Sequence, residues 1–253
     1  MLNQVQLITY VDRLGGGDIA SLQTLLDGPL SGVFGGIHLL PFFDTIDGAD
    51  AGFDPIDHTR VDPRLGDWHD IKRLSESLPV MADVIVNHMS SDSPQFRDWS
   101  ARGDASAFSD LFLTLSTVFP DGASEEALLA VYRPRPGLPL TYATLANGQR
   151  KILWTTFTAR QIDINVESTS GRAYLDSILD TLAQAGVRMI RLDAVGYAIK
   201  RAGRDSFMMP ETFAFIADFA SRARTRGLEV LVEVHSYFQK QIDIARQVDW
   251  VYD

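Results

Sequence analysis

Two apolar runs in this chain stop on a carboxylate. RMIRLDAVG (188–196) stops on Asp193, and LEVLVEVHS (228–236) stops on Glu233. Alternate side chains of a strand share a face, so Arg191 lies beside Asp193 and Glu233 beside His235. The intervening Leu and Val point the other way. Buried parallel strands ordinarily run into turn residues, so two carboxylates aimed at one mouth suggest a site. Paired carboxylates are the working parts of glycoside chemistry. Arg191 should keep Asp193 ionised and nucleophilic. Glu233 interrupts the apolar LVEV, where burial should raise its pKa toward that of a general acid. The bland alternative for Asp193 is a helix N-cap, because AVGYAIKRAG follows it.

Further residues could serve such a pair. ADVIVNH (82–88) brings His88 to a strand end, as a structural histidine or a donor to a sugar. A mixed metal site of His88, Asp193, Glu233 and His235 is conceivable, but no short ligand spacing on one helix supports it. The loop DGADAGFDPIDHTRVD (47–62) is dense in acids without the spacing or closing Glu of a calcium loop. Phe53 beside Asp50 reads as a sugar-binding lip, against a merely solvated loop. YRPRPGLP (132–139) is stiffened by proline and carries Arg133 and Arg135 next to Tyr132. In an acidic protein that loop could hold a phosphate. RLGGGDIA (13–20) loosely fits a dinucleotide motif, but the next strand ends HLLPFF without the required acid. A tight strand–helix turn with Asp18 as N-cap is the preferred reading.

Such residues need a frame. Strands are expected at 4–11, 35–42, 80–88, 187–193 and 228–235, and another begins at DWVYD. Helical spacing appears from Ile19, over 67–78, over 171–186 and around 210–226. Strand–helix alternation implies a parallel sheet with helices outside. Polar residues at several strand ends favour a (β/α)8 barrel over a doubly wound sheet, because a barrel gathers those ends on one face. Between about Ser90 and Asn165 the alternation breaks into turn-rich text. The expected organisation is a barrel over 1–89 and 167–253 with an inserted B domain at 90–166.

Composition narrows the classes. The 253 residues are 45% hydrophobic, enough for one large core. There is no Cys, which removes disulfide and thiolate chemistry and fits a cytoplasmic setting. The net charge of -10, without a basic run, argues against nucleic acid. No leader peptide and no run long enough to span a bilayer is read, so no membrane association is expected.

Taken together, the motifs resemble the α-amylase superfamily of glycoside hydrolases, family thirteen. The signatures are DVIVNH, RLDAV, LVEVH and QIDIN (161–165). ADAGFDPIDHT together with RPRPGLP resembles its branch of phosphorylases that act on sucrose. The resemblance implies sucrose and phosphate as substrates, and α-glucose 1-phosphate and fructose as products, with retention. It implies Asp193 as nucleophile and Glu233 as acid/base. Asp50, Phe53, His88 and Arg191 would line the glucose subsite. Tyr132, Arg135, Phe157, Gln161, Tyr197 and His235 would lie toward the acceptor. It implies no metal and no other cofactor, and it allows a homodimer for the full-length enzyme. Related activities on sucrose 6′-phosphate, glucosylglycerol or glucosylglycerate are the nearest alternatives, followed by a non-catalytic carbohydrate-binding relative. The family's third carboxylate, in a His-Asp strand end, does not follow Glu233. The chain is therefore expected to be an N-terminal fragment, stopping near the sixth strand and inactive alone.

Overall fold

The computed structural model describes residues 4–45, 50–233 and 238–252. Along the chain come β1 (Gln6–Thr9), α1 (Ile19–Asp27), β2 (Gly36–Leu39), β3 (Phe43–Thr45), β4 (Pro55–Val61), α2 (Trp68–Ser77) and β5 (Val80–Ile85). There follow β6 (His88–Ser90), α3 (Pro94–Arg102), α4 (Leu115–Val118), α5 (Glu125–Leu129), β7 (Leu140–Thr144), β8 (Arg150–Trp154) and β9 (Gln161–Asp163). The rest is α6 (Thr169–Gln184), β10 (Met189–Asp193), α7 (Pro210–Arg224), β11 (Glu229–Val232), α8 (Phe238–Ala245) and β12 (Trp250–Val251). The chain forms two compact units.

The first unit comprises Met1–Val84, Asp176–Asp193 and Ala217–Asp253. Its centre is a curled parallel sheet in the order β1-β2-β5-β10-β11-β12, the strand content of a partial (β/α)8 barrel. Both β2 and β5 are buried throughout, as strands covered on both faces must be. α1 presents Ile19, Leu22 and Leu26 to the core, and α2 presents Ile71 and Leu74. Each such side chain contributes roughly 1.5–3 kcal/mol by leaving water. Truncating Leu74 to Ala would cost about 2–5 kcal/mol, because a close-packed interior leaves a cavity.

Helix starts in this unit are written in the sequence. Asp18 caps α1 by accepting the Ser21 amide at 2.7 Å. The glycines before it make the tight turn: Gly15 has φ +88, and a Cβ there would lie 2.7 Å from Leu22 Cα. Asp67 caps α2 and exchanges hydrogen bonds with Asp70 in a capping box. The antiparallel pair β3–β4 was not anticipated; β4 lies in the acid-rich stretch 47–62 read as a loop, and β3 just before it.

The second unit comprises Ile85–Leu175 and Ala194–Ile216. The strand expected to reach residue 88 instead leaves the parallel sheet after Ile85. The chain re-forms as β6, which pairs antiparallel with β9, His88 opposite Asp163. The stretch expected to be irregular holds short helices and the β7–β8 hairpin. That hairpin closes on Gly148 at φ +81, whose amide donates to Leu145 O at 2.9 Å. Glycine takes this left-handed position without a Cβ penalty. Leu113, Val118, Phe119, Val131 and Trp154 form a local core, with Phe119 and Trp154 stacked. Among the described residues no helix is long and apolar enough to cross a membrane.

Candidate active site

β10 and β11 run parallel in a register that pairs Leu192 with Val232. One residue later the two carboxylates leave the sheet side by side, and the Glu233 amide donates to Leu192 O at 3.2 Å. Arg191 ties them together. Its Nη1 donates to Asp193 Oδ1 at 3.0 Å, and its Nη2 to Glu233 Oε1 at 2.7 Å. The same Nη1 donates to Asp83 Oδ1 at 2.6 Å. Asp83 is fully buried, and its second oxygen lies 3.1 Å from His38 Nε2. The guanidinium lies over the rings of Phe53 and Tyr252, at 5.7 and 5.8 Å.

The N-cap reading of Asp193 does not hold. No α-helix follows it; Ala194 takes a left-handed φ of 53 and leads into a 3-10 turn, Val195–Tyr197, that has no side-chain cap. The Asp193 carboxyl is thereby left for Arg191 and Glu233.

Burial pushes the Asp193 carboxyl up to about 8, and the Glu233 charge adds to that rise. Arg191 opposes it, while Asp83 and a hydrogen bond with Glu233 raise it further. This reverses the expectation that Arg191 keeps Asp193 ionised. One guanidinium shared among three carboxylates cannot offset the loss of water and a like charge in hydrogen-bond reach. The Asp193 carboxyl therefore keeps its proton at neutral pH. Burial alone would draw the Arg191 pKa down, but the three carboxylates outweigh it and the net shift is upward.

Asp50 and Phe53 belong to the same unit. The Phe53 amide donates to Asp50 O at 2.9 Å across a turn whose central residues, Ala51 and Gly52, both have positive φ. That is the mark of a type I′ turn, and it sets Phe53 against Arg191.

The second unit gathers the other candidates into an aromatic wall. His88 lies 5.2 Å from Phe157, and Phe157 meets Tyr197 edge-on at 5.2 Å. Tyr132 stacks near Tyr197 at 6.1 Å. Phe207, not singled out in the sequence, fills the gap between them, 4.5 Å from Tyr132 and 4.7 Å from Tyr197. Gln161 is buried in β9. Arg133 and Arg135 are exposed and make no ion pair among the described residues. His235 lies outside the described residues.

Beneath this wall sits a buried cation that sequence reasoning also passed over. Lys200 Nζ meets Asp163 Oδ2 at 2.6 Å and Asn87 Oδ1 at 2.9 Å, and it donates to Tyr197 O. Asp163 also accepts the Thr156 amide at 3.0 Å. Burial lowers the Lys200 pKa, and Asp163 opposes the shift.

Residues 32–244 match the family described as alpha amylase, catalytic domain. The chain belongs to the α-amylase family. Over its full length it is 58% identical to the sucrose phosphorylase of Agrobacterium vitis, covering 52% of that protein. It is 53% identical to the sucrose phosphorylase of Bifidobacterium adolescentis, covering 50% of it. The crystal structure of sucrose 6F-phosphate phosphorylase from Thermoanaerobacter thermosaccharolyticum superimposes with a TM-score of 0.93 at 36% identity, over 100% of this chain and 52% of that one. The chain thus spans about half the length of the curated relatives it matches.

Proposed function

We propose that the protein moves an α-glucosyl group from sucrose to phosphate, giving α-glucose 1-phosphate and fructose with retention. The observation that carries this reading is the Asp193–Glu233 pair, set on neighbouring strand ends and joined by Arg191. The identity to sucrose phosphorylases supports the choice of substrate. Residues 1–89 and 167–253 form the barrel portion, and 90–166 the inserted domain.

Asp193 attacks the anomeric carbon as that carbon's bond to the fructose oxygen breaks. Glu233 delivers the proton to the departing oxygen. A phosphate oxygen then attacks the same carbon, its proton passes to Glu233, and the Asp193 ester bond opens. Retaining chemistry places two carboxyls about 5–5.5 Å apart. The hydrogen-bonded pair is closer than that, so the sugar must part the two groups, with the Asp193 proton passing to Glu233 before attack. Arg191 contributes by stabilising negative charge on both carboxylates as they alternate. By the family resemblance, Asp50, Phe53 and His88 are assigned to the glucose. The same resemblance assigns Tyr132, Phe157, Gln161 and Tyr197 to the acceptor and Arg135 to the phosphate.

The test is fructose release from sucrose with and without phosphate, using the full reading frame that encodes these residues. Phosphate-dependent release with α-glucose 1-phosphate as the sugar product is expected. Release of free glucose at the same rate without phosphate would overturn the reading, as would a preference for sucrose 6F-phosphate.

A further inference from the structure

His38 takes no part in the proposed chemistry, yet it is bonded into the site. It sits within β2, is 1% exposed, and lies opposite Met81 in the ladder with β5. Its Nε2 is 3.1 Å from Asp83 Oδ2, and Asp83 is itself completely buried. His38 Nδ1 meets no partner among the described residues. A single N–H on Nε2, donated to Asp83, therefore satisfies the ring at least cost, since a second buried N–H would go unpaired. Asp83 Oδ1 accepts Arg191 Nη1 at 2.6 Å, and Arg191 then divides itself between Asp193 and Glu233. Three neighbouring strands thus supply an unbroken line from His38 to both carboxyls.

We propose that His38 is a positioning residue. By occupying one oxygen of Asp83, it prevents that carboxylate from gripping Arg191 with both, and so leaves Arg191 Nη1 shared with Asp193. The proposal rests on the roles assigned to Asp193 and Glu233. An isolated Asp–Arg pair prefers the bidentate arrangement, with two parallel N–H···O bonds. Freed from His38, Asp83 would swing toward that arrangement and draw Nη1 from Asp193. The charged and titratable groups facing the line are Asp83, Arg191, Asp193 and Glu233, with Tyr10 and Tyr252 close enough to feel Asp83. Losing its share of Arg191 would make Asp193 hold its proton more tightly.

The experiment compares His38→Leu, which removes the donor, with His38→Gln, whose amide can still donate to Asp83. In the full reading frame, His38→Leu should lower kcat on sucrose by roughly 10–100-fold, the scale of a small misplacement of reacting groups. The sucrose KM should stay within about threefold, because the sugar contacts are untouched. The acidic limb of kcat/KM should move upward, and His38→Gln should restore most of the rate and the limb. Adding His38→Leu to Asp83→Asn should cost no more than Asp83→Asn alone. Additive losses, or a His38→Leu variant with native kcat and an unmoved limb, would overturn the proposal. Nitrogen NMR of the native protein reads the arrangement without any variant: the proton belongs on Nε2, and finding it on Nδ1 would also overturn it. A native enzyme that releases no fructose counts against the function proposed above, while the NMR result stands on its own.

Discussion

Arg191 and Asp83 lie 2.6 Å apart although 108 positions separate them in the chain. The contact joins β5 to β10, two neighbours in the sheet that only the fold brings together. It makes Arg191 more than a partner of Asp193. The guanidinium is fixed from behind by a buried carboxylate, and it donates forward to Asp193 and Glu233. Lysine carries the same charge but lacks the planar fork, so it could not hold three carboxylates in these directions.

Glu233→Gln separates protonation from binding. The amide keeps the shape and can still accept from Arg191, but it has no proton to give a departing oxygen. Sucrose turnover should fall by at least about 100-fold, the usual contribution of a positioned acid. A glucosyl fluoride, whose leaving group needs little protonation, should lose far less in its first step. Rates on the two donors measured in parallel decide the matter, and equal losses would remove the acid role from Glu233.

The sequence revealed Asp193 and Glu233 because each is a charge at the end of an otherwise apolar strand. Asp83 breaks VMADVI too, but from within the strand rather than at its end, where a lone acid is less conspicuous. His38 in GIHL carried the same signal. The antiparallel pair β3–β4 was hidden because DPIDHTRVD is rich in turn formers and only a few of its residues pair. Within 90–165 the helices α4 and α5 have four and five residues, too few for a helical period to show. Their caps were legible in principle: Thr114 and Ser124 each accept an amide three residues on. The six parallel strands were visible throughout, since each is a short apolar run between turn residues. Their ends were not, and the 80–88 strand stops earlier than the apolar text does, while the last two positions of the expected 228–235 strand lie outside the described residues.

Lys200 should be worth more to stability than its single charge implies. Lys200→Met would leave Asp163 buried with only Thr156 to serve it, and removing one partner of a buried pair costs about 3–5 kcal/mol. The double variant Lys200→Met with Asp163→Asn should recover much of that loss. Urea unfolding of the single and double variants gives the coupling directly. Equal destabilisation by the single and the double variant would show that the ammonium does not serve Asp163.

Arg135 should govern phosphate rather than sucrose. It is exposed, on a loop stiffened by Pro134 and Pro136, and no acid among the described residues engages it. Arg135→Ala should raise the phosphate KM by about tenfold or more, consistent with a lost charge-assisted bond of 1.5–3 kcal/mol. The sucrose KM should change little. Initial rates over a grid of both substrates measure each constant, and an unchanged phosphate KM would return Arg135 to the surface.

Asp193 should make the protein less stable as the pH rises toward neutrality. Its pKa stands near 8 in the folded chain against an ordinary 3.8. Below pH 4 the folded and unfolded chains both hold the proton, and above 8 both release it. Between those limits the folded chain binds one proton more than the unfolded chain, so stability falls with rising pH across the window. Asp193→Asn removes the titrating group and keeps an acceptor for Arg191. The variant should therefore gain stability relative to the native protein as pH increases from 4 to 8, by up to about 1.4 kcal/mol per pH unit. It should do so while losing turnover, because the amide cannot form the glucosyl ester. Denaturant melts at pH 4, 6 and 8 supply the comparison. A difference between variant and native that stays flat over those points would mean that Asp193 is already ionised throughout, with Arg191 prevailing over burial after all.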